Sequence, residues 1–184
     1  MHCKSAKPRQ MPLRGKRIFL RPPRTSDYGD YASLMKANGR VYRGLVPPFK
    51  GRKQFDDYLK RCRREDFFGF LICRNEDSAI VGSINLFHII RRRLQSACVG
   101  YLVGAPHARQ GFATEALQLM IRFAFTKVRL HRVEADIQPG NLPSIALVRR
   151  AGFLYEGLSR RYVKIAGKWR DHERWALLAE DWRK

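Results

Sequence analysis

The residues of this chain best suited to chemistry sit in one short loop. His107-Ala108-Arg109-Gln110-Gly111-Phe112-Ala113 follows a strand-like run, Cys98 to Val103, that ends in Gly104-Ala105-Pro106. A helical pattern begins directly after it. Strand, basic small-residue loop, helix start is an arrangement that holds phosphate. The N–H groups of a first helical turn have no intrahelical acceptor, and the helix dipole favours negative charge there. Gly111 and Ala113 carry almost no side chain, so a ligand can approach the backbone closely. A phosphate-bearing ligand at this loop is the first expectation.

The elements that position the loop belong to one domain. The chain has 184 residues, 45% hydrophobic and 11% aromatic, which suits one domain with a real core and argues against disorder. Residues 1–16 read as a basic flexible tail and 17–184 as the domain. No apolar run reaches the roughly 18 residues that span a bilayer, and the polar start has no signal-peptide core. A membrane partner is therefore not expected. Cys3, Cys62, Cys73 and Cys98 lack CxxC spacing, which suits a reduced cytoplasmic setting and no metal. The formal net charge of +21 comes from 37 Lys+Arg against 16 Asp+Glu, with arginines clustered at 61–64, 91–93, 149–150 and 160–161. Such a surface is either simply solvated or attracts a polyanion such as RNA or the ribosome.

Arg17 to Arg21 alternates like a first strand, and Pro22-Pro23 stops it. Ser26 or Asp27 can cap a helix that ends near Asn38-Gly39, and a second helix runs from about Lys53 to Arg64. Strands follow at Phe67–Cys73 and Ile80–Phe87, with Gly82 marking a bulge, and His88–Leu94 connects to a strand at 96–104. A helix over 110–127, a strand over 131–137, a helix capped by Asn141 and two strands, Phe153–Ile165 and Lys168–Leu178, complete the order. This is an α/β (α+β) domain, a mixed sheet covered by helices.

That order resembles the GNAT superfamily of acyl-CoA-dependent N-acyltransferases. The window Ala108-Arg109-Gln110-Gly111-Phe112-Ala113 is similar to the family's Gln/Arg-x-x-Gly-x-Gly/Ala fingerprint, with Ala108 in place of the expected Gln or Arg and Arg109 able to supply a cation from the next position. Thr114-Glu115-Ala116-Leu117 resembles the helix opening, and Asn141-Leu142-Pro143-Ser144 with Ala151-Gly152-Phe153 resembles the stretch after the fifth strand. Tyr155-Glu156-Gly157 through Gly167-Lys168-Trp169-Arg170-Asp171-His172 looks like the branch that acetylates ribosomal proteins at an N-terminal alanine or serine. The resemblance implies a mostly antiparallel sheet of about seven strands, splayed at the fourth and fifth, with about four helices.

It also implies acetyl-CoA as co-substrate. Backbone groups of Ala108, Arg109, Gln110, Gly111, Phe112, Ala113 and Thr114 would cradle its pyrophosphate. Main-chain groups of Tyr101, Leu102 and Val103 would pair with pantetheine, and Asn141 would bond the arm while also capping its helix. Ser144, Tyr155 and Tyr162 are alternative proton donors to the leaving thiolate; a phenol with pKa near 10 suits that role. An α-amine with pKa of about 7.7–8.0 requires only modest help from a base, for which Glu134 is the candidate. His88, His107 and His131 read as solvated, and no Ser-His-Asp or Cys-His order supports covalent catalysis. Direct attack in a ternary complex is expected.

Three functions compete. The first is acetylation of a ribosomal protein's N-terminus by a cytoplasmic monomer or homodimer. The second is acetylation of a small amine (antibiotic, polyamine or amino acid), against which the +21 charge argues unless the cleft is acidic; Asp56, Asp57, Glu65 and Asp66 are the concentrated carboxylates near the acceptor side. The third is a basic RNA- or ribosome-binding domain without catalysis, against which the sequence interleaves no aromatics among its arginine clusters.

Overall fold

In the computed structural model, residues 12–39, 42, 44–45 and 48–182 are described. Apolar residues at alternate positions build one eight-stranded sheet: β1 (Leu13–Arg14), β2 (Ile18–Arg21), β3 (Phe68–Arg74), β4 (Ile80–Ile90), β5 (Ser96–Val103), β6 (Arg132–Ile137), β7 (Leu154–Ile165) and β8 (Lys168–Leu178). The spatial order is β1-β2-β3-β4-β5-β6-β8-β7. All neighbours are antiparallel except β5 and β6. The eighth strand exists because Leu13 and Arg14, inside the span read as a tail, pair with Leu20 and Phe19. Residues 1–11 of that span lie outside the described residues.

Helices cover both faces: α1 (Tyr28–Ala37) and α2 (Arg52–Arg61) on one, α3 (Phe112–Thr126) and α4 (Leu142–Arg150) on the other, with a short α5 (Ala179–Trp182) after β8. β3 shows why the sheet is sandwiched. Phe68 and Phe70 meet the Phe123 ring of α3 edge-on at 5.2 and 5.4 Å. Leu71 and Cys73, pointing oppositely, join Phe55 and Tyr58 of α2. A strand buried on both faces reads as a continuous apolar run, as Phe-Gly-Phe-Leu-Ile-Cys does.

Some expected boundaries move. The second helix ends at Arg61 rather than Arg64, and β4 continues to Ile90 through residues expected to be a connection. Asp27 stands at the N-cap of α1 but makes no cap bond to it. Its carboxylate takes a bidentate pair from Arg21 at 2.7 and 2.8 Å and the Arg24 N–H at 2.6 Å. Of the three tryptophans, Trp175 closes the core, Trp182 packs on Phe125, and Trp169 is exposed.

The bulge expected at Gly82 is present: Ile72 pairs with Gly82 and Cys73 with Ile80, skipping Val81. A Cβ on Gly82 would stand 2.3 Å from the Leu102 carbonyl oxygen, so β4 and β5 approach each other there only because position 82 lacks a side chain. Gly82→Ala is expected to destabilise the fold by about 1–3 kcal/mol, as other overpacked interiors do. Urea denaturation would show it as a lowered midpoint at unchanged slope.

The feature that shapes the site is where pairing stops. β5 and β6 are joined only through Ser96–Arg132, Ala97–Val133 and Cys98–Glu134. Beyond Cys98, β5 continues to Val103 held by β4, while β6 follows β8 to Ile137. The strands diverge, and one edge of β5 from residue 99 onward loses its neighbour. The splay implied by the resemblance is thus present, between β5 and β6, and it makes β5 the wall of a cleft.

Candidate active site

The 108–114 loop leads from the end of β5, one wall of that cleft, into α3. Gly111 is the N-cap of α3 at φ +80°, in the left-handed region that glycine occupies at little cost, and no side chain caps the helix. The first-turn N–H groups of Phe112, Ala113 and Thr114 are thus presented without a side-chain acceptor, as an anion requires. Ala108 ends a 3-10 turn by donating to Ala105 O at 3.2 Å, and Arg109 follows at φ +60°. The cation fixed against the loop is Arg17, from the start of the first hairpin. Its Nη1 donates to Gln110 O at 2.9 Å and its Nε to Glu115 Oε2 at 3.3 Å, and its guanidinium lies 5.2 Å from the centre of the Phe112 ring. Nothing in the local sequence points to Arg17, which reaches the loop across 93 residues of chain. His107 adds no charge: partial burial, then Arg74, hold its imidazole below the ordinary value and therefore neutral.

A cavity of about 300 Å³ lies between β5 and β6; none of residues 108–114 lines it. Val99 to Leu102 form one wall and Ala135 to Gln138 the other. Val103, the third predicted pantetheine partner, lies just past the wall, and its carbonyl accepts from Tyr42 Oη at 2.7 Å. Asn141 and Ser144 close the α4 end, with Asn141 Oδ1 accepting the Ser144 N–H at 3.3 Å. Both the capping role and a cleft position for Asn141 are therefore present together. Gln138 Nε2 donates to Gly44 O at 3.0 Å, which brings Leu45 over the opening. On the acceptor side, Ser83 is buried and Asn85 accepts from Tyr58 Oη at 2.9 Å.

The four predicted proton-transfer residues are distributed unevenly. Ser144 lines the cleft, one helical turn from the wall formed by Tyr101, whose hydroxyl reaches the Ser144 carbonyl at 3.5 Å. Tyr155 packs edge-on against Trp175 at 5.4 Å and is 54% exposed, outside the cavity lining. Tyr162 reaches the cleft indirectly: its ring lies 6.2 Å from His172, a lining residue, and 4.9 Å from the Arg174 guanidinium. Glu134 sits at the last position of β6 paired with β5. It receives Arg132 Nε at 2.7 Å and Arg174 Nη2 at 2.8 Å, which occupies both of its oxygens.

Asp136 is the carboxylate that faces the open cleft. It lies two residues past Glu134 on the same face of β6, beyond the end of β5 pairing. Its Oδ1 is 2.9 Å from Arg174 Nε but lacks hydrogen-bond alignment, and Oδ2 is 3.9 Å from the Cys98 thiol. Burial raises its pKa above the ordinary carboxylate value, against the pull of Arg174. Across the same arginine network, Glu156 is held below its ordinary value by hydrogen bonds from Arg132. Linked carboxylates pushed in opposite directions mark Asp136 as the candidate for proton transfer. The signal available in the sequence was the alternation of Glu134 and Asp136 with apolar neighbours; the end of strand pairing, which selects between them, was not. Cys98 is excluded as a nucleophile, because burial and the nearby Asp136 and Glu134 push its thiol up to about 12.

Among the described residues, no group of three or more His, Cys, Asp or Glu side chains gathers as metal ligands would, and no helix is long and apolar enough to cross a membrane. Comparison with known proteins gives a consistent family. Residues 17–154 match the model of an acetyltransferase (GNAT) domain. A probable N-acetyltransferase of Bacillus subtilis, YjcK, is 34% identical over 177 residues, covering 92% of this chain and 98% of that protein. The [ribosomal protein uS5]-alanine N-acetyltransferase of Escherichia coli is 33% identical over 115 residues, 62% of this chain and 59% of that one. The structure of Mycobacterium smegmatis RimJ in complex with CoA-disulfide superposes with a TM-score of 0.83 at 30% identity, covering 95% of this chain and 88% of that chain. With its diverging strands and uncapped α3 loop, the chain belongs to the GNAT acetyltransferases and is an acyltransferase.

Proposed function

We propose that the protein is a cytoplasmic enzyme that moves an acetyl group from acetyl-CoA to the N-terminal α-amine of a ribosomal protein beginning with alanine or serine. The observation that carries the transfer chemistry is Asp136, a half-buried carboxylate lining the cleft just where β6 leaves β5. The likeness to the uS5-alanine acetyltransferase and to RimJ supports the acceptor. The thiols of Cys73 and Cys98 suit a reducing compartment.

The donor's fit rests on two groups of atoms. The first-turn N–H groups of α3, backed by Arg17, suit a pyrophosphate, and the free edge of β5 offers main-chain partners to an extended pantetheine arm. Asn141 and Ser144 hold the far side of the arm. Asp136 takes the proton of the incoming amine, and its raised pKa keeps it a stronger base than an exposed aspartate. The amine nitrogen bonds the acyl carbon, the C–S bond breaks, and the sulfur leaves with a proton from the α4 end. Ser144 is the hydroxyl placed there. Tyr101, whose phenol burial raises to about 12, stays neutral and closes the wall.

The test is a panel of acceptors with acetyl-CoA fixed: peptides with N-terminal alanine, serine or glutamate, together with spermidine and kanamycin. Turnover confined to the alanine and serine peptides supports the proposal. Preferential turnover of spermidine or kanamycin would replace it with the small-amine reading while leaving acetyl transfer intact.

A further inference from the structure

A second, larger depression of about 930 Å³ runs between α3 and the β1–β2 hairpin; it begins at Gly111 and Thr114 of the α3 loop and shares no lining residue with the β5–β6 cavity. Arg14, Lys16 and Arg17 line it from the hairpin, Arg122 from α3, and Trp182 from the chain's last described turn. Its one carboxylate, Glu115, is already engaged by Arg17 Nε and by the Arg17 and Ile18 N–H groups at 2.8 and 3.4 Å. Arg14, Lys16 and Arg122 are exposed, and among the described residues no carboxylate pairs with them. Arg122 is held in the groove by its 3.5 Å contact to Arg14 O. The acetyl-transfer mechanism uses none of these three cations, nor Trp182.

A row of cations beside an aromatic ring is the arrangement that binds single-stranded nucleic acid, with cations following phosphates and the ring stacking a base. The sequence shows no such interleaving, because Lys16, Arg122 and Trp182 are more than fifty residues apart. Folding assembles it. The chain's 26 arginines and net charge of +21 add a long-range field that draws a polyanion to any such groove. We infer that this groove is a docking surface for single-stranded RNA; the choice of RNA over DNA rests on the ribosomal-protein acceptor proposed above. The surface would hold the enzyme near a ribosomal protein emerging beside its RNA, while the β5–β6 cleft, which shares no lining residue with the groove, remains open.

The experiment is fluorescence anisotropy of a labelled twelve-nucleotide oligouridylate with the full chain across a KCl series. Lys16→Gln/Arg122→Gln should flatten the log Kd against log[KCl] slope by about 1.4, at about 0.7 per lost phosphate contact on a single strand. Trp182→Ala should weaken binding about fivefold or more at unchanged slope, whereas Trp182→Phe, which keeps a stacking ring, retains it. Arg92→Gln/Arg93→Gln, at the β4–β5 turn, should match wild type. Equal weakening in that control, tighter binding of oligothymidylate, or no complex at low salt would each overturn the inference. Every variant should keep its thermal shift with acetyl-CoA, so failure of the RNA surface and failure of the enzymatic reading are read separately.

Discussion

Asp136→Asn should lower kcat by about 10²–10⁴-fold, the span typical of a lost general base, with little change in the KM for acetyl-CoA. Asparagine keeps the shape and the contact to Arg174 but cannot accept the amine proton. The pH profile gives the more selective reading. A base acts only when ionised, and burial raises the pKa of Asp136, so protonation removes the base at a higher pH than for an exposed aspartate. In wild type, log kcat/KM should therefore fall with unit slope as the acceptor amine protonates below about 8, then steepen to a slope of two below the Asp136 value. Asp136→Asn should lose the second bend and keep the first. Wild-type kcat and an unchanged profile in the variant would remove Asp136 from the reaction and return the role to Glu134. Glu134→Gln should instead loosen the Arg132 and Arg174 pairs and show its main effect in stability.

Gly111→Asp should abolish acetyl-CoA binding altogether. Acetyl-CoA at a hundredfold excess over Kd stabilises the wild type by about 2.7 kcal/mol, and at roughly 2–4 °C per kcal/mol for a chain of this size Tm should rise by about 5–10 °C. The variant places a carboxylate where phosphate would sit, forces φ +80° on a residue with a Cβ, and brings that Cβ within 2.9 Å of Arg17 Nη2. No shift is expected from it, even though the loop is exposed and the core untouched. The measurement belongs at high salt, so that the net charge does not collect the nucleotide non-specifically. A shift that survives the substitution would move the phosphates away from α3. Arg17→Ala should reduce the shift more than Arg109→Ala, since Arg17 is the cation fixed against Gln110 and Phe112.

Much of the fold was legible because its signals are local. The alternation of β6, the apolar run of β3, the helical spacing of α3 and the Asn141 cap each follow from a few neighbouring residues. The bulge at Gly82 could be anticipated in the same way. Boundaries moved where long-range pairing overrode local preference: Leu13 and Arg14 look like tail, yet they find an open edge at β2.

The sequence by itself determined the family, the order of elements and the loop that carries Gly111, since these rest on short-range spacing and on side chains too small to block a ligand. Only the tertiary structure decided which groups line the cleft. Glu134 and Asp136 are equivalent on the page of the sequence, on one face of one strand. The end of the β5–β6 ladder separates them: both meet Arg174, but Glu134 is also held by Arg132, while Asp136 lines the open cleft. Arg17 at the phosphate loop and Trp182 beside Arg122 are likewise products of folding, because proximity between residues so far apart along the chain is set by packing and leaves no local trace.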